Sequence, residues 1–199
     1  METMFRKQIT ILGQPKQISE DQLNRYIFKS LGIMTKVKNK VNQHFLEQHV
    51  KRKELLYHPM WLAKILVIAD RKPFPPKKIP KMCFIDAISG YRGLLTTVPS
   101  TSKKDEPFRT SFVISPEIKE PDEVKRYIKD VQEKQINRSY ILKKPEHQLI
   151  EYDLVYLPLW KVQMKSSTLT KDFYINANTG ESEEYLAKQW KSKRWLLNR

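Results

Sequence analysis

A five-residue pattern, Tyr-x-Pro-x-Trp, occurs twice in this chain. Tyr57, Pro59 and Trp61 form it in YHPMW, and Tyr156, Pro158 and Trp160 form it again in YLPLW, 99 residues later in a sequence of 199. Repetition at half the chain length restricts the fold to architectures that are internally repeated. Three further pairs keep the same order. FRKQITI at 5–11 resembles FRTSFVI at 108–114, LNRYI at 23–27 matches VKRYI at 124–128, and FIDAISG at 84–90 matches YINANTG at 174–180. Four pairs in register imply a tandem duplication: a first repeat over 1–99, a linker over 100–107 and a second repeat over 108–199.

Periodicity gives each repeat the same series of elements. A short β-rich run opens it, QITIL at 8–12 and TSFVI at 110–114. A helix follows. Ser19 and Gln22 have the capping-box spacing, and Leu23, Tyr26, Ile27 and Leu31 form an apolar stripe. In the second repeat Pro121 suits a first helical turn, Asp122 and Glu123 suit the positive end of the helix dipole, and Val124, Tyr127, Ile128 and Val131 repeat the stripe. The first repeat adds a second helix over 36–50, with Val37, Val41, Phe45 and Leu46 on one side, where Pro145 interrupts the second repeat.

A strand then runs into the pentapeptide. In LIEYDLVY (149–156) Ile150, Tyr152, Leu154 and Tyr156 alternate with partners that include Glu151 and Asp153, as in a half-buried strand. Pro59 and Pro158 lack a donor for the ladder, so each belongs at a bend or a strand edge, with the flanking Tyr and Trp covering the core. Trp160, Val162 and Met164 share one face of the next strand. Trp61, Ala63, Ile65 and Val67 share the corresponding face, while Leu62, Leu66 and Ile68 make the other face apolar too, so that sheet is expected to be covered on both sides. The last strand ends in Asp86 to Gly90 and in Asn176 to Gly180. An Asx side chain accepts backbone N–H groups there, and glycine takes the left-handed φ that closes the turn. Asp in one copy and Asn in the other means that the hydrogen bond is needed and the charge is not, which makes Asp86 a poor catalytic candidate.

The repeat therefore reads as β-α-β-β-β, a helix on an antiparallel sheet, giving an α+β chain of two tandem units in the cystatin-like order. IDAISG and INANTGE also resemble the vDa-x-TGe hairpin that closes PepSY-type domains. That resemblance implies a small binding or regulatory module without catalytic residues.

Charge points to the class of partner. The chain has 37 Lys and Arg against 22 Asp and Glu, a net of +15. Residues 1–99 hold 18 basic and 7 acidic groups, a net of +11, whereas residues 100–187 hold 14 and 15; the last twelve, KQWKSKRWLLNR, hold five basic groups and no acid. Such an excess suits an acidic protein or peptide, nucleic acid or an anionic membrane surface, and it also suits plain solubility. Two stretches concentrate it. One is RKPFPPKKIPK (71–81), read as a proline-stiffened hairpin loop that holds Arg71, Lys72, Lys77, Lys78 and Lys81 towards a partner, with Phe74 at its centre. The alternative is a solvated loop with Phe74 tucked onto the sheet. The other is the tail, where Trp190, Lys191, Lys193, Arg194 and Trp195 fit an interfacial helix or a nucleic-acid arm. They equally fit a terminal helix whose tryptophans dock on the protein's own core.

Chemistry is not legible. His44 and His49 lie five residues apart on a helix, about 140° round it, so they do not face one metal. Spaced cysteine or histidine pairs and phosphate-cradling glycine loops are missing, and no cofactor or metal is expected. Cys83, the one cysteine, aligns with Phe173, which favours an apolar role, and it excludes an intrachain disulfide. METMFRKQITILGQPKQ has no apolar run of the signal-peptide kind, and a cytoplasmic location is expected. The functional expectation is a non-enzymatic binding or regulatory module for a protein or peptide partner. Nucleic-acid binding through the first repeat, loop 71–81 and the tail is the alternative, and peripheral membrane association through the tail is the second.

Overall fold

A computed structural model describes residues 8–14, 18–104 and 112–198. In chain order these form β1 (Ile9–Leu12), α1 (Leu23–Ser30), α2 (Ile33–Lys38), α3 (Gln43–His49), β2 (Val50–Arg71), β3 (Phe74–Asp86), β4 (Arg92–Leu95), β5 (Thr101–Lys104), α4 (Pro121–Val131), β6 (Glu146–Lys165), β7 (Thr170–Asn176) and α5 (Glu184–Trp190). The fold is mixed α+β with a mostly antiparallel sheet. Hydrogen bonding orders the strands β4-β3-β2-β6-β1-β5, with β7 against β6.

Compactness divides the chain differently from the repeats. One unit takes the described residues of Met1–His58, Ser100–Ile114 and Tyr156–Lys191; the other takes Pro59–Pro99, Ser115–Val155 and Ser192–Arg199. Two of the boundaries fall inside or beside the pentapeptides, between His58 and Pro59 and between Val155 and Tyr156. The two strands expected to meet at each pentapeptide are instead one: β2 runs through Pro59 and β6 through Pro158, and each starts in one unit and finishes in the other. Neither unit coincides with 1–99 or 108–199, and the stretch 100–107, read as a linker, holds β5, which pairs antiparallel with β1.

The first unit packs helices from the first half of the chain on a hairpin from the second. Gln22 Oε1 accepts from Ser19 N at 3.3 Å at the start of α1, as the capping pattern predicts. Leu23, Ile27 and Leu31 from this helix and its cap, with Val41 and Leu46, bury against Val162 and Met164 of β6 and Phe173 and Ile175 of β7. The single helix expected over 36–50 is instead two. Lys40 takes φ 49° between α2 and α3, and Asn42 starts α3 by accepting from Phe45 N at 2.7 Å. Val37 consequently lies 71% exposed, outside the core assigned to it. The run TSFVI lies partly outside the described residues; within them Val113 makes a parallel bridge to Tyr57.

The second unit reverses the exchange. Ala63, Ile65 and Val67 of β2 and Cys83 and Ile85 of β3 meet Ile118 and the α4 stripe Val124, Tyr127, Ile128 and Val131. Pro121 opens α4 with Asp122 and Glu123 in its first turn, and the helix continues into a π turn over Gln132–Ile136. Residues 71–81 are not the loop that their prolines suggest. β2 reaches Arg71 and β3 begins at Phe74, with Val67↔Ile79, Ile68↔Lys78 and Ala69↔Lys77 in register, so only Lys72 and Pro73 turn the chain. The prolines fit a strand here because β4 pairs with β3 only from Met82 to Ile85, which leaves Phe74–Lys81 laddered on one side. A strand edge tolerates residues without an N–H.

Candidate functional site

The repeated motif residues are structural, and they sit in matched settings. Trp61 Nε1 donates to Ile118 O at 2.8 Å, and Trp160 Nε1 donates to Ile18 O at 2.8 Å. The carbonyl of Pro59 accepts from Ala87 N at 3.1 Å, and that of Pro158 accepts from Ala177 N at 2.9 Å. Tyr57 and Tyr156 are buried, and burial pushes the Tyr156 phenol pKa upward. Asp86 Oδ1 accepts from Ile88 N at 2.8 Å and Ser89 N at 3.0 Å; Asn176 Oδ1 accepts from Asn178 N at 3.0 Å and Thr179 N at 3.3 Å. Gly90 and Gly180 close these turns at φ 73° and 76°. A Cβ on either would run into a tyrosine ring, Tyr127 beside Gly90 and Tyr26 beside Gly180.

The basic ribbon made by the distal β2–β3 hairpin is the exposed feature. Residues 70–78 are all exposed, as are Pro80 and Lys81, and Phe74 is 62% exposed at the tip with the Arg71 guanidinium 5.8 Å from its ring centre. Pairing fixes which way the cations point. Lys77 and Lys81 lie opposite Ala69 and Ile65 on the face that carries the core, and Lys78 lies opposite Ile68 on the other face. Asp70, the acid closest in sequence, is taken by Lys143, which donates to it at 2.6 Å and holds its carboxyl below the usual range. No ion pair involves Lys77, Lys78 or Lys81 among the described residues.

The tail does not join this surface as one helix. α5 ends at Trp190, and a 3-10 turn over Lys193–Trp195 follows. Trp190 and Lys191 belong to the first unit, where Trp190 stacks on buried His58 at 4.3 Å and meets Tyr174 edge-on at 5.0 Å. Arg194 and Trp195 belong to the second, where Trp195 meets the Tyr91 ring at 5.2 Å and Arg194 lies 4.8 Å from the Trp195 ring. The Lys193 side chain lies outside the described set.

Sequence reasoning missed two features of the second unit. One is an apolar recess of about 640 Å³ on the back of β2 and β3, lined by Leu66, Pro80, Met82, Leu95, Val98 and Ile150, with Lys81 at its side. Of the residues expected to be covered on this face, Leu62 is buried and Leu66 and Ile68 are half-buried, while Val98 remains 70% and Ile150 58% exposed at the recess. The excess of apolar residues on β2 was its one signal. The other is a polar cluster. Arg92 forks Asp130 through Nε at 2.7 Å and Nη2 at 2.6 Å, while its Nη1 donates to Gly90 O at 2.7 Å and Trp195 O at 2.8 Å. Burial raises the Asp130 pKa, but Lys134 and Arg92 outweigh it and the carboxyl stays below its usual range. Gln135 completes this corner: its side-chain amide accepts from Leu94 N at 3.2 Å and donates to Arg92 O at 3.3 Å, capping the edge of β4.

Two observations bear on chemistry. Cys83 is buried with its thiol pushed up to about 12, and no group of three or more metal-ligating side chains occurs among the described residues. No described helix is long and apolar enough to cross a membrane. No protein-family model, no curated protein and no solved structure matches this chain.

Proposed function

We propose that this chain is a non-enzymatic binding or regulatory module that engages a negatively charged partner through the basic ribbon of its second unit, in a cytoplasmic setting. An acidic protein or peptide is the partner class put first, with nucleic acid and an anionic membrane surface as the alternatives. The observation that carries this reading is the ribbon itself: five cations and one exposed aromatic, with no acid pairing Lys77, Lys78 or Lys81 among the described residues. Holding like charges together on a rigid hairpin costs stability through their repulsion, and an opposite charge from outside relieves it.

The scaffold is a tandem duplication of a cystatin-like unit that has exchanged halves. The matched Trp to Ile hydrogen bonds, Pro carbonyl contacts and Asx turns support that history. The Trp bonds, which join the pentapeptide of each half to the helix entry of the other, support the exchange. Docking of Trp190 and Trp195 on the protein's own rings supports an anchoring tail and leaves the membrane reading without an exposed tryptophan face.

Retention on immobilised poly-glutamate tests the reading. Lys77→Glu, Lys78→Glu and Lys81→Glu together are expected to lower the eluting salt concentration far more than the same reversals at exposed Lys125, Lys129 and Lys188, which already face acids on their own helices. Equal shifts for the two triples would show that only total charge matters and would end the proposal.

A further inference from the structure

Resting on the reading of the ribbon as the site for a negatively charged partner, we infer that it is a nucleic-acid arm, built to enter a groove of a duplex with phosphates on both sides and the Phe74 ring against base steps. Three observations single out this polyanion from others.

The first is that the charge is two-faced. Lys77 and Lys81 leave one face of the hairpin and Lys78 the other, while Arg71 and Lys72 ring the tip. A membrane surface or an acidic segment lying on the hairpin presents negative charge from one side. A groove presents a phosphate rail on each wall. Two strands about 5 Å apart are a ribbon narrow enough for a major groove about 12 Å wide.

The second is that the ribbon's edge resists an added peptide strand. Recognition by strand addition needs a row of N–H donors. Asp86 N of β3 points to the outer side and Ala87 N to the β2 side, so Pro76 and Pro80 each remove an outward donor between Phe74 and Lys81, the stretch that is laddered on one side only. The edge of β4 is closed as well, by the Gln135 amide.

The third is the tip. Phe74 is flanked by Pro73 and Pro75, lies 62% exposed, and has a cation beside its ring. A large apolar ring left mostly in water between prolines gains little in the free protein beyond its contact with the Arg71 guanidinium. Apolar side chains carried into the major groove meet the thymine methyl groups, and aromatic rings stack on unpaired bases. The same residue therefore distinguishes groove insertion from single-strand stacking.

The test is fluorescence anisotropy of the full chain with a labelled 20-base-pair DNA duplex, its RNA counterpart and one of the single strands. Labelled poly-glutamate and phosphatidylserine vesicles run in parallel, each across a salt series starting at low salt. Duplex binding with a log–log salt slope of about −4.5, as five cations require, is expected. Lys77→Ala with Lys78→Ala should reduce that slope by about 2. Phe74→Ala should weaken duplex binding about tenfold with the slope unchanged. Circular dichroism melting of each variant should match the parent, since all three side chains are exposed. Tighter binding to the single strand than to either duplex would overturn the groove assignment. Binding to poly-glutamate or vesicles but to no nucleic acid would overturn this inference and leave the acidic-partner reading standing. Binding to none of the five probes would remove both.

Discussion

The two hairpins of this protein follow one plan up to a definite residue pair and then part. β6 and β7 separate after Lys165↔Thr170, and Ser166 closes a four-residue turn by accepting from Leu169 N at 2.9 Å. The corresponding pair in the other hairpin is Leu66↔Pro80, but there the ladder continues through Val67↔Ile79, Ile68↔Lys78 and Ala69↔Lys77. Below the shared pair the two agree in detail: a Trp indole on an Ile carbonyl, a Pro carbonyl on an Ala amide, an Asx turn closed by glycine. Above it, one hairpin stops where its core stops and the other projects further into solvent. Packing explains the shared part. It does not explain the projection, which buries almost nothing past Ala69; the proposed binding role would.

Trp61→Ala and Trp160→Ala each remove a half-buried indole and its hydrogen bond, and each should cost about 3 kcal/mol in urea unfolding. If one costs several kcal/mol and the other almost nothing, the two pentapeptides do not do the same work. A finer test uses the Asx turns. Asn176→Asp places a carboxylate where Asn176 Nδ2 now donates to Glu183 Oε1 at 2.9 Å, and should cost about 1–2 kcal/mol at pH 7. That loss should shrink as pH falls and the two carboxylates protonate. Asp86→Asn keeps the acceptor oxygen and should cost less than about 1 kcal/mol. A reversed order would show that the charge of Asp86, not its hydrogen bonds, holds its turn.

The smallest effect expected separates the units by acid. Asp130 lies below its usual pKa in the folded chain, so its pairing with Arg92 and Lys134 stabilises above the unfolded value near 3.8 and is lost as pH falls through the folded value. Lys29 stands at the aligned position in the first unit, where a cation replaces the carboxylate. Asp130→Asn should therefore flatten the acid side of the stability profile below about pH 4. An unchanged acid limb would mean that other carboxylates control it.

Much of each local element was legible because its cause is local. Ser19 with Gln22 and Pro121 with its acids act within a few residues of themselves, whereas the alternation expected over 149–156 fails at Ile150, which is exposed while Leu149, Tyr152 and Leu154 are half-buried. That the helices of each half of the chain pack on the hairpin of the other was not legible, for a physical reason. Trp61 finds the carbonyl of Ile118 and Trp160 that of Ile18, and two isoleucine carbonyls at equivalent helix entries offer the same partner. Local chemistry cannot tell them apart, and chain connectivity decides. The ribbon was illegible for the opposite cause. Its prolines are loop-formers in most settings, and only the absence of a second neighbour over Phe74–Lys81 makes them compatible with a strand. Val98 and Ile150 gave no warning of the recess, since sequence alone does not reveal which apolar residues remain uncovered.

The route of the chain sets a limit on dissecting it. The polypeptide passes from one unit to the other after residues 58, 99, 114, 155 and 191. Severing it at any one of these points leaves both bodies still threaded by the remaining segments, so no single truncation yields a free-standing half. Fragments expressed separately would carry helices whose matching hairpins lie on the other piece, and their folding would become a question of concentration and reassembly.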